Sequence, residues 1–307
     1  TIASLEASLE LPKPTVHVIS DVHGEYKKLK HVVNNASGSL RPLVDELFGA
    51  SLAEEDRREL LNLIYYPRET FEYIAPRFDG PGERREYVQR RIEQMLVVLR
   101  NLAAQYPLAH TEGLIPDRYR ELLREILFLP CLEQRNPHLG AIVRQFHELG
   151  RDLDLVRVVA RVVRNLLIAE LIVAGDCGDR GPRIDSVIEF LMRQPNVSIV
   201  WGNHDMSWLA ACLGHELSIA TVLRISLRYR RLSQLEEGYG IPMAPLERLV
   251  RDCYADDPAE RFACKGAGLR DPLLMARMQK AIAIIQFKLE GQYIARNPQF
   301  GLGSRDL

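Results

Sequence analysis

Leu171-Ile172-Val173-Ala174-Gly175-Asp176-Cys177-Gly178-Asp179-Arg180-Gly181-Pro182 reads as a buried strand that empties into a polar loop. The branched apolar run has strand composition, while two carboxylates and an arginine among glycines exceed what plain turn chemistry needs. Glu170 leads into the strand, and Ile184, Val187, Ile188 and Leu191 follow the loop at helical spacing. The same order of parts occurs twice more. Upstream, Val16-His17-Val18-Ile19-Ser20 is strand-like after the Pro12-Lys13-Pro14 breaker, and Asp21-Val22-His23-Gly24 is its loop. A helix from Glu25 to about Asn35 carries Leu29, Val32 and Val33, with Gly38 at its C-terminal end. Downstream, Val197-Ser198-Ile199-Val200-Trp201 is the strand, Gly202-Asn203-His204-Asp205 the loop, and Met206 to Leu213 the helix. Three such units predict an α/β fold, a layered sheet with flanking helices whose polar loops gather at one edge.

Between the first and second units lies a long stretch with a different period. Val88, Ile92, Met95, Leu96, Leu99 and Leu102 recur at helical spacing, as do Leu122, Leu123, Ile126 and Leu127. Ile142, Val143, Phe146 and Leu149 form a third stripe, and Val156, Val159, Val163, Leu166 and Leu167 a fourth. Gly80-Pro81-Gly82, Pro130 and Pro137 punctuate them. The expected organisation is therefore a first part of the core over 1–39, a helical insertion over 40–169, and the continuation of the core over 170–307. The last part is mostly helical to about Gln286, broken at Pro242 and Pro258, and ends in Ile282 to Leu289, Gly291 and a polar tail.

Composition narrows the function classes. The 307 residues are 47% hydrophobic and carry 40 Lys+Arg against 41 Asp+Glu, a net charge of −1, so a packed globular protein is expected and a nucleic-acid partner is not. The short basic run Arg228 to Arg231, interrupted by Tyr229, reads as a solvated helix face. Five cysteines, Cys131, Cys177, Cys212, Cys253 and Cys264, are widely spaced without a Cys-x-x-Cys pair, which points to reduced thiols. With no signal-peptide pattern and no apolar run of bilayer length, a cytoplasmic protein without a membrane partner is expected. A homo-oligomer is compatible with this composition. The chain opens on Thr1 instead of Met, the expectation being a trimmed or partial polypeptide.

The three loops supply carboxylate and imidazole, then carboxylate, then amide and imidazole. A mixed oxygen and nitrogen set without thiolate suits Mn²⁺ or Fe²⁺ better than a structural zinc. Two ions about 3.5 to 4 Å apart clamp a phosphoryl group and generate hydroxide from bound water, and a carboxylate between them bridges. Asp176, on the middle loop, is the natural bridge, which leaves His204 to protonate a leaving oxygen. Each loop alone has a plain alternative as a polar turn or helix cap; their combination asks for one explanation. Cys177 reads either as a small buried residue, the preferred reading, or as an oxidation-sensitive thiol.

Asp21-Val22-His23, Gly175-Asp176-Cys177-Gly178-Asp179 and Gly202-Asn203-His204-Asp205 resemble the opening signatures of the calcineurin-like binuclear metallophosphoesterases, in the same order. Within them the chain resembles the bacterial class III fructose-1,6-bisphosphatases, through His17 to Tyr26, the long insertion, Asp179 to Arg183, Trp201 to Asp205 and Ile285 to Gln292. The resemblance implies Asp21 and His23 as ligands of one metal, Asp176 as the bridge, Asn203 as a ligand of the other, and His204 with Asp205 as the proton-handling pair. It implies Asp179 as orienting His204 or the metal-bound water, and Arg180 as a phosphate holder, since a guanidinium offers two donors to phosphate oxygens. Arg183, Lys27 and Lys28 are open to a second phosphate or to plain solvation. The implied cofactor is a pair of Mn²⁺ ions, with Fe²⁺ or Mg²⁺ as alternatives, and the implied reaction is release of the 1-phosphate of fructose 1,6-bisphosphate by metal-bound hydroxide.

The resemblance breaks after Asp205. The superfamily completes its metal sites with later histidines, whereas here only His215 follows, and it reads as a helix-cap or surface residue. Class III relatives also extend beyond the position of Leu307, so the chain is expected to be the N-terminal part of a longer enzyme, incomplete at its C-terminus, with apolar sheet surface left uncovered. Two other functions stand beside the leading one. A protein Ser/Thr phosphatase or dinucleotide polyphosphate hydrolase uses similar motifs but joins the first two units by a shorter link. A non-catalytic metal-binding fragment would account for the missing histidines.

Overall fold

The computed structural model describes residues 2–11, 15–127, 137–266, 268 and 270–305. The Pro12-Lys13-Pro14 breaker, Pro130 and Cys131 lie outside them. Strands β1 (Val16–Ile19), β2 (Glu170–Val173) and β3 (Val197–Ile199) form one parallel sheet in the order β1-β2-β3. Each is shorter than its apolar run. β2 ends at Val173 because Ala174 and Gly175 already turn: Gly175 takes φ +85°, and a Cβ there would lie 2.6 Å from the Gly202 nitrogen. Past the strand ends, Ala174 N–H still donates to Ile19 O at 2.7 Å and Val200 N–H to Val173 O at 2.9 Å, which holds the three loops in register.

The chain divides into two compact units, the first comprising 1–17, 30–171 and 194–196. Its core is helical and runs from Ala36 to Leu167. The helix Pro81–Ala103 starts on a proline at its first position, where no backbone donor is needed, and buries Val88, Ile92, Met95, Leu96 and Leu99 completely. Leu123 and Ile126 of Arg120–Leu127, Leu139 and Val143 of Pro137–Glu148, and Val156, Val159 and Val163 of Asp152–Leu167 pack into the same core. Leu149 departs from its stripe and is exposed, because its helix ends at Glu148 and Gly150 turns the chain with φ +65°. Arg91 is buried within this apolar helix, its guanidinium 2.5 Å from Glu59 and 3.0 Å from Asp56.

The second unit comprises 18–29, 172–193 and 197–307 and holds all three loops. Helices Tyr26–Asn34 and Ile184–Leu191 follow the first two loops, the former beginning in this unit. Its core lies between helices Glu216–Arg228 and Pro272–Arg296, filled by Val222, Leu227, Leu235, Met275, Met278 and Ile282. The last helix runs through Gly291 to Arg296 instead of stopping near Leu289, so a single glycine does not end it. The third loop is also shorter than expected: its helix is Asn203–Cys212, which makes Asn203, His204 and Asp205 its first turn. Val18, Ile199, Val200 and Trp201 are exposed. No helix among the described residues is long and apolar enough to cross a membrane.

Candidate metal centre and its supporting loops

Asp21 and His23 leave the end of β1 and Asp176 the end of β2, and each offers a ligand atom within 4.8 Å of the others. His23 Nε2 stands 3.4 Å from Asp21 Oδ1. All three residues are left-handed, with φ of 53°, 48° and 54°, a conformation that costs a residue with a side chain on the order of 1 to 3 kcal/mol. Backbone bonds between the loops impose it. His23 N–H donates to Asp176 O and Gly24 N–H to Cys177 O, both at 2.8 Å. Gly181 closes the arrangement from the other side, since a Cβ at that position would fall 1.5 Å from the His23 carbonyl oxygen.

Asp205 ties the third loop to the second. Its Oδ2 accepts from Asp176 N–H at 2.7 Å and from Gly202 N–H at 2.9 Å, and its Oδ1 accepts from Cys177 N–H at 2.9 Å. The bond to Gly202 is the return half of a capping box, an acid at the third helical position satisfying the residue before the helix. This explains why the helix starts at Asn203. It also places the Asp176 carboxylate against the helix N-terminus, where His204 N–H donates to Oδ1 at 3.4 Å and the helix dipole favours negative charge. A Cβ on Gly202 would lie 2.1 Å from that oxygen.

The carboxylate facing the His204 ring is Asp179, at 3.5 Å from Nδ1, and not Asp205, whose oxygens are turned to the backbone donors. Asp179 is almost wholly buried and its other oxygen lies 2.7 Å from Nε of the exposed Arg180. The His23 and His204 rings meet edge to face at 6.3 Å, so the first and third loops converge on one place. Asn203 is exposed at the first position of its helix. His215 caps Glu216–Arg228, its Nδ1 accepting from Ser218 N–H at 3.3 Å. Arg183 is committed to Asp185 at 2.6 Å and Glu237 at 3.4 Å, and Lys28 lies 3.7 Å from Glu25. Lys27 is exposed. Sequence reasoning missed the tying role of Asp205; its one local signal was an acid three residues after Gly202.

Cys177 is buried, and burial, reinforced by the Asp205 and Asp176 carboxylates, pushes its thiol up to about 11. The neutral form is favoured, so Cys177 is expected to stay unmodified by iodoacetamide at pH 8 while the exposed Cys212 and Cys253 react. Peptide mass spectrometry over a time course checks this; labelling of Cys177 in the folded protein at the pace of Cys212 would contradict it.

Two carboxylates and an imidazole held by strained backbone at one point, one of them at a helix N-terminus, form a donor set that fits a divalent cation. The family model described as Firmicute fructose-1,6-bisphosphatase matches residues 1–307. The chain is 39% identical over its whole length to a class 3 fructose-1,6-bisphosphatase of Porphyromonas gingivalis, covering 47% of that protein. It is 35% identical to one of Bacteroides thetaiotaomicron, again over its whole length and 47% of the relative, and 36% identical over 98% of its length to one of Clostridium tetani, covering 46%. It thus spans about half the length of these curated relatives. No solved structure matches it.

Proposed function

The chain belongs to the Firmicute fructose-1,6-bisphosphatase family, and from that premise we propose that it carries the site at which fructose 1,6-bisphosphate is hydrolysed to fructose 6-phosphate and phosphate, a cytoplasmic step of gluconeogenesis. The observation that carries the reading is the convergence of Asp21, His23 and Asp176. In this reading the sheet and its loops are the core of a calcineurin-like metallophosphoesterase, and the helical segment 40–169 is an insertion in it. Asp21 and His23 would hold one Mn²⁺, Asp176 would bridge, and Asn203 would serve a second. Such ions, when bound, offset phosphoryl charge and activate water.

The protein's own groups do the rest. His204 gives the proton from Nε2 to the departing sugar oxygen, while Asp179 faces Nδ1 and holds the ring in place. Arg180, kept in place by its ion pair to Asp179, receives phosphate oxygens. Asp205 acts one step back, by fixing the backbone of Asp176, Cys177 and Gly202.

The test is phosphate release by the purified chain from fructose 1,6-bisphosphate and from a phosphopeptide, in Mn²⁺ and in EDTA. Release from the sugar alone, abolished by EDTA and restored by Mn²⁺, is expected. Preference for the phosphopeptide would favour a protein phosphatase, and release from neither would mean that these residues do not suffice for catalysis.

A further inference from the structure

The basic run Arg228 to Arg231 does not form a solvated helix face. The helix Glu216–Arg228 ends as the run begins, and Arg230 is left-handed at φ 55°. The turn this makes lies against Arg180. Arg231 Nε donates to the Arg180 carbonyl oxygen at 3.0 Å, and the Arg180 guanidinium sits over the Tyr229 ring at 5.7 Å. Lys265 joins the group from a distant part of the chain: its backbone N–H donates to Arg228 O at 2.6 Å, and its ammonium lies 6.0 Å from the same Tyr229 ring. One aromatic ring therefore bears two cations, each within reach of a cation–π attraction.

The charge here is unbalanced. Arg180, Arg230, Arg231 and Lys265 bring four cations to the turn around Tyr229, and Asp179, already shared by Arg180 and His204, is the carboxylate that Arg180 meets. Among the described residues, Arg230, Arg231 and Lys265 pair with no carboxylate. Arg231 spends one guanidinium donor on Arg180 and keeps the others, and Lys265 keeps its ammonium donors, in a protein whose net charge is −1. Cations that no carboxylate neutralises, beside the Asp179–His204 pair, are placed to receive an anion. In the phosphatase reading the reacting phosphate is served by the ligand loops and Arg180; of the other cations near those loops, Arg183 and Lys28 are paired with acids, while Lys27 is exposed in the first turn of the helix Tyr26–Asn34.

We propose that Arg231 and Lys265, linked through Arg180 and Tyr229 to the Asp179–His204 pair, bind the second phosphate of the bisphosphate, the one that is not hydrolysed. The assignment rests on the sugar-bisphosphatase reading and adds to it the residues that distinguish a bisphosphate from a monophosphate. Arginine offers paired donors to phosphate oxygens and lysine a mobile point charge, a common division of labour around a phosphate.

The probe is fructose 6-phosphate, which carries only the retained phosphate, titrated calorimetrically into the chain beside fructose. Fructose 6-phosphate is expected to bind far more tightly than fructose, and Lys265→Gln and Arg231→Gln are each expected to weaken it about tenfold or more, the scale of a lost charge-assisted hydrogen bond. With Mn²⁺, the KM for fructose 1,6-bisphosphate relative to that for fructose 1-phosphate should rise by a similar factor. Lys265 is exposed and its replacement is readable even if Arg231→Gln disturbs the Arg180 loop. Unchanged affinity in Lys265→Gln, or equal losses on both substrates, would overturn the proposal. Binding that depends on Lys265 and Arg231 without any hydrolysis by this chain would keep the phosphate site and show that these residues do not suffice for catalysis, whereas hydrolysis of a phosphopeptide in preference to the sugar would defeat the sugar-bisphosphatase reading.

Discussion

Replacing Asp205 with alanine is expected to abolish phosphate release, by at least about a thousandfold, and to destabilise the protein by about 4.5 kcal/mol or more, three charge-assisted bonds of at least about 1.5 kcal/mol each being lost at once. The three donors are backbone N–H groups of Asp176, Cys177 and Gly202, two of them in the second loop and one before the helix Asn203–Cys212. Alanine leaves all three without an acceptor in a region that water reaches poorly, since Cys177 and Asp205 are both buried. The Asp176 backbone is then free to leave its left-handed conformation and the carboxylate its place at the helix N-terminus. Asp205→Asn separates charge from geometry: it keeps one acceptor oxygen but turns an amide NH₂ toward a backbone donor, so it should recover only part of the loss. Urea unfolding gives the stability term, and calorimetric titration with Mn²⁺ gives the site. An unchanged urea midpoint together with wild-type Mn²⁺ affinity in Asp205→Ala would refute the tying role.

His204→Ala is expected to lower kcat for fructose 1,6-bisphosphate by roughly 10² to 10⁴, the usual share of a positioned general acid. The sugar oxygen leaves poorly without a proton, whereas p-nitrophenolate leaves without one. Hydrolysis of p-nitrophenyl phosphate should therefore fall much less in the same variant. His204 contributes its backbone N–H to Asp176 whatever its side chain, so the loop survives the substitution and the contrast reports on the ring alone. Equal losses on both substrates would show that the imidazole positions instead of donating. Asp179→Asn, which keeps the shape facing Nδ1 and removes the charge, should fall between wild type and His204→Ala on the sugar substrate.

Much of this was legible from local pattern. The three strand-loop-helix units and the helical stripes between the first two rest on periodicities a few residues long, and the structure places Val88, Ile92, Met95 and Val163 in the core as their spacing predicts. The convergence of Asp21, His23 and Asp176 followed from parallel strands ending at one edge. What stayed hidden is non-local. The acceptor duties of Asp205 lie on donors 28 and 29 residues away, and nothing in Asn203-His204-Asp205 tells a proton-handling carboxylate from a cap. Likewise the run Arg228 to Arg231 reads as solvated until Arg180 and Lys265 are brought to Tyr229. Strand lengths were overestimated because strand-like apolar composition continues past the end of regular strand, into Val200, which still bonds to Val173, and Trp201.

The left-handed backbone at Asp21, His23 and Asp176 bears on how this sequence can change. Glycine adopts that conformation without steric penalty, so by backbone conformation alone the residue that strains each of these positions least is one that cannot bind a cation. Selection for thermal endurance alone, in a laboratory library, would relieve that strain through glycine at Asp21 and His23 before Asp176, whose carboxylate also accepts from His204 N–H at a helix N-terminus, and would dismantle the donor set on the way. Aspartate, histidine and aspartate at these positions carry a conformational cost that a bound cation would offset.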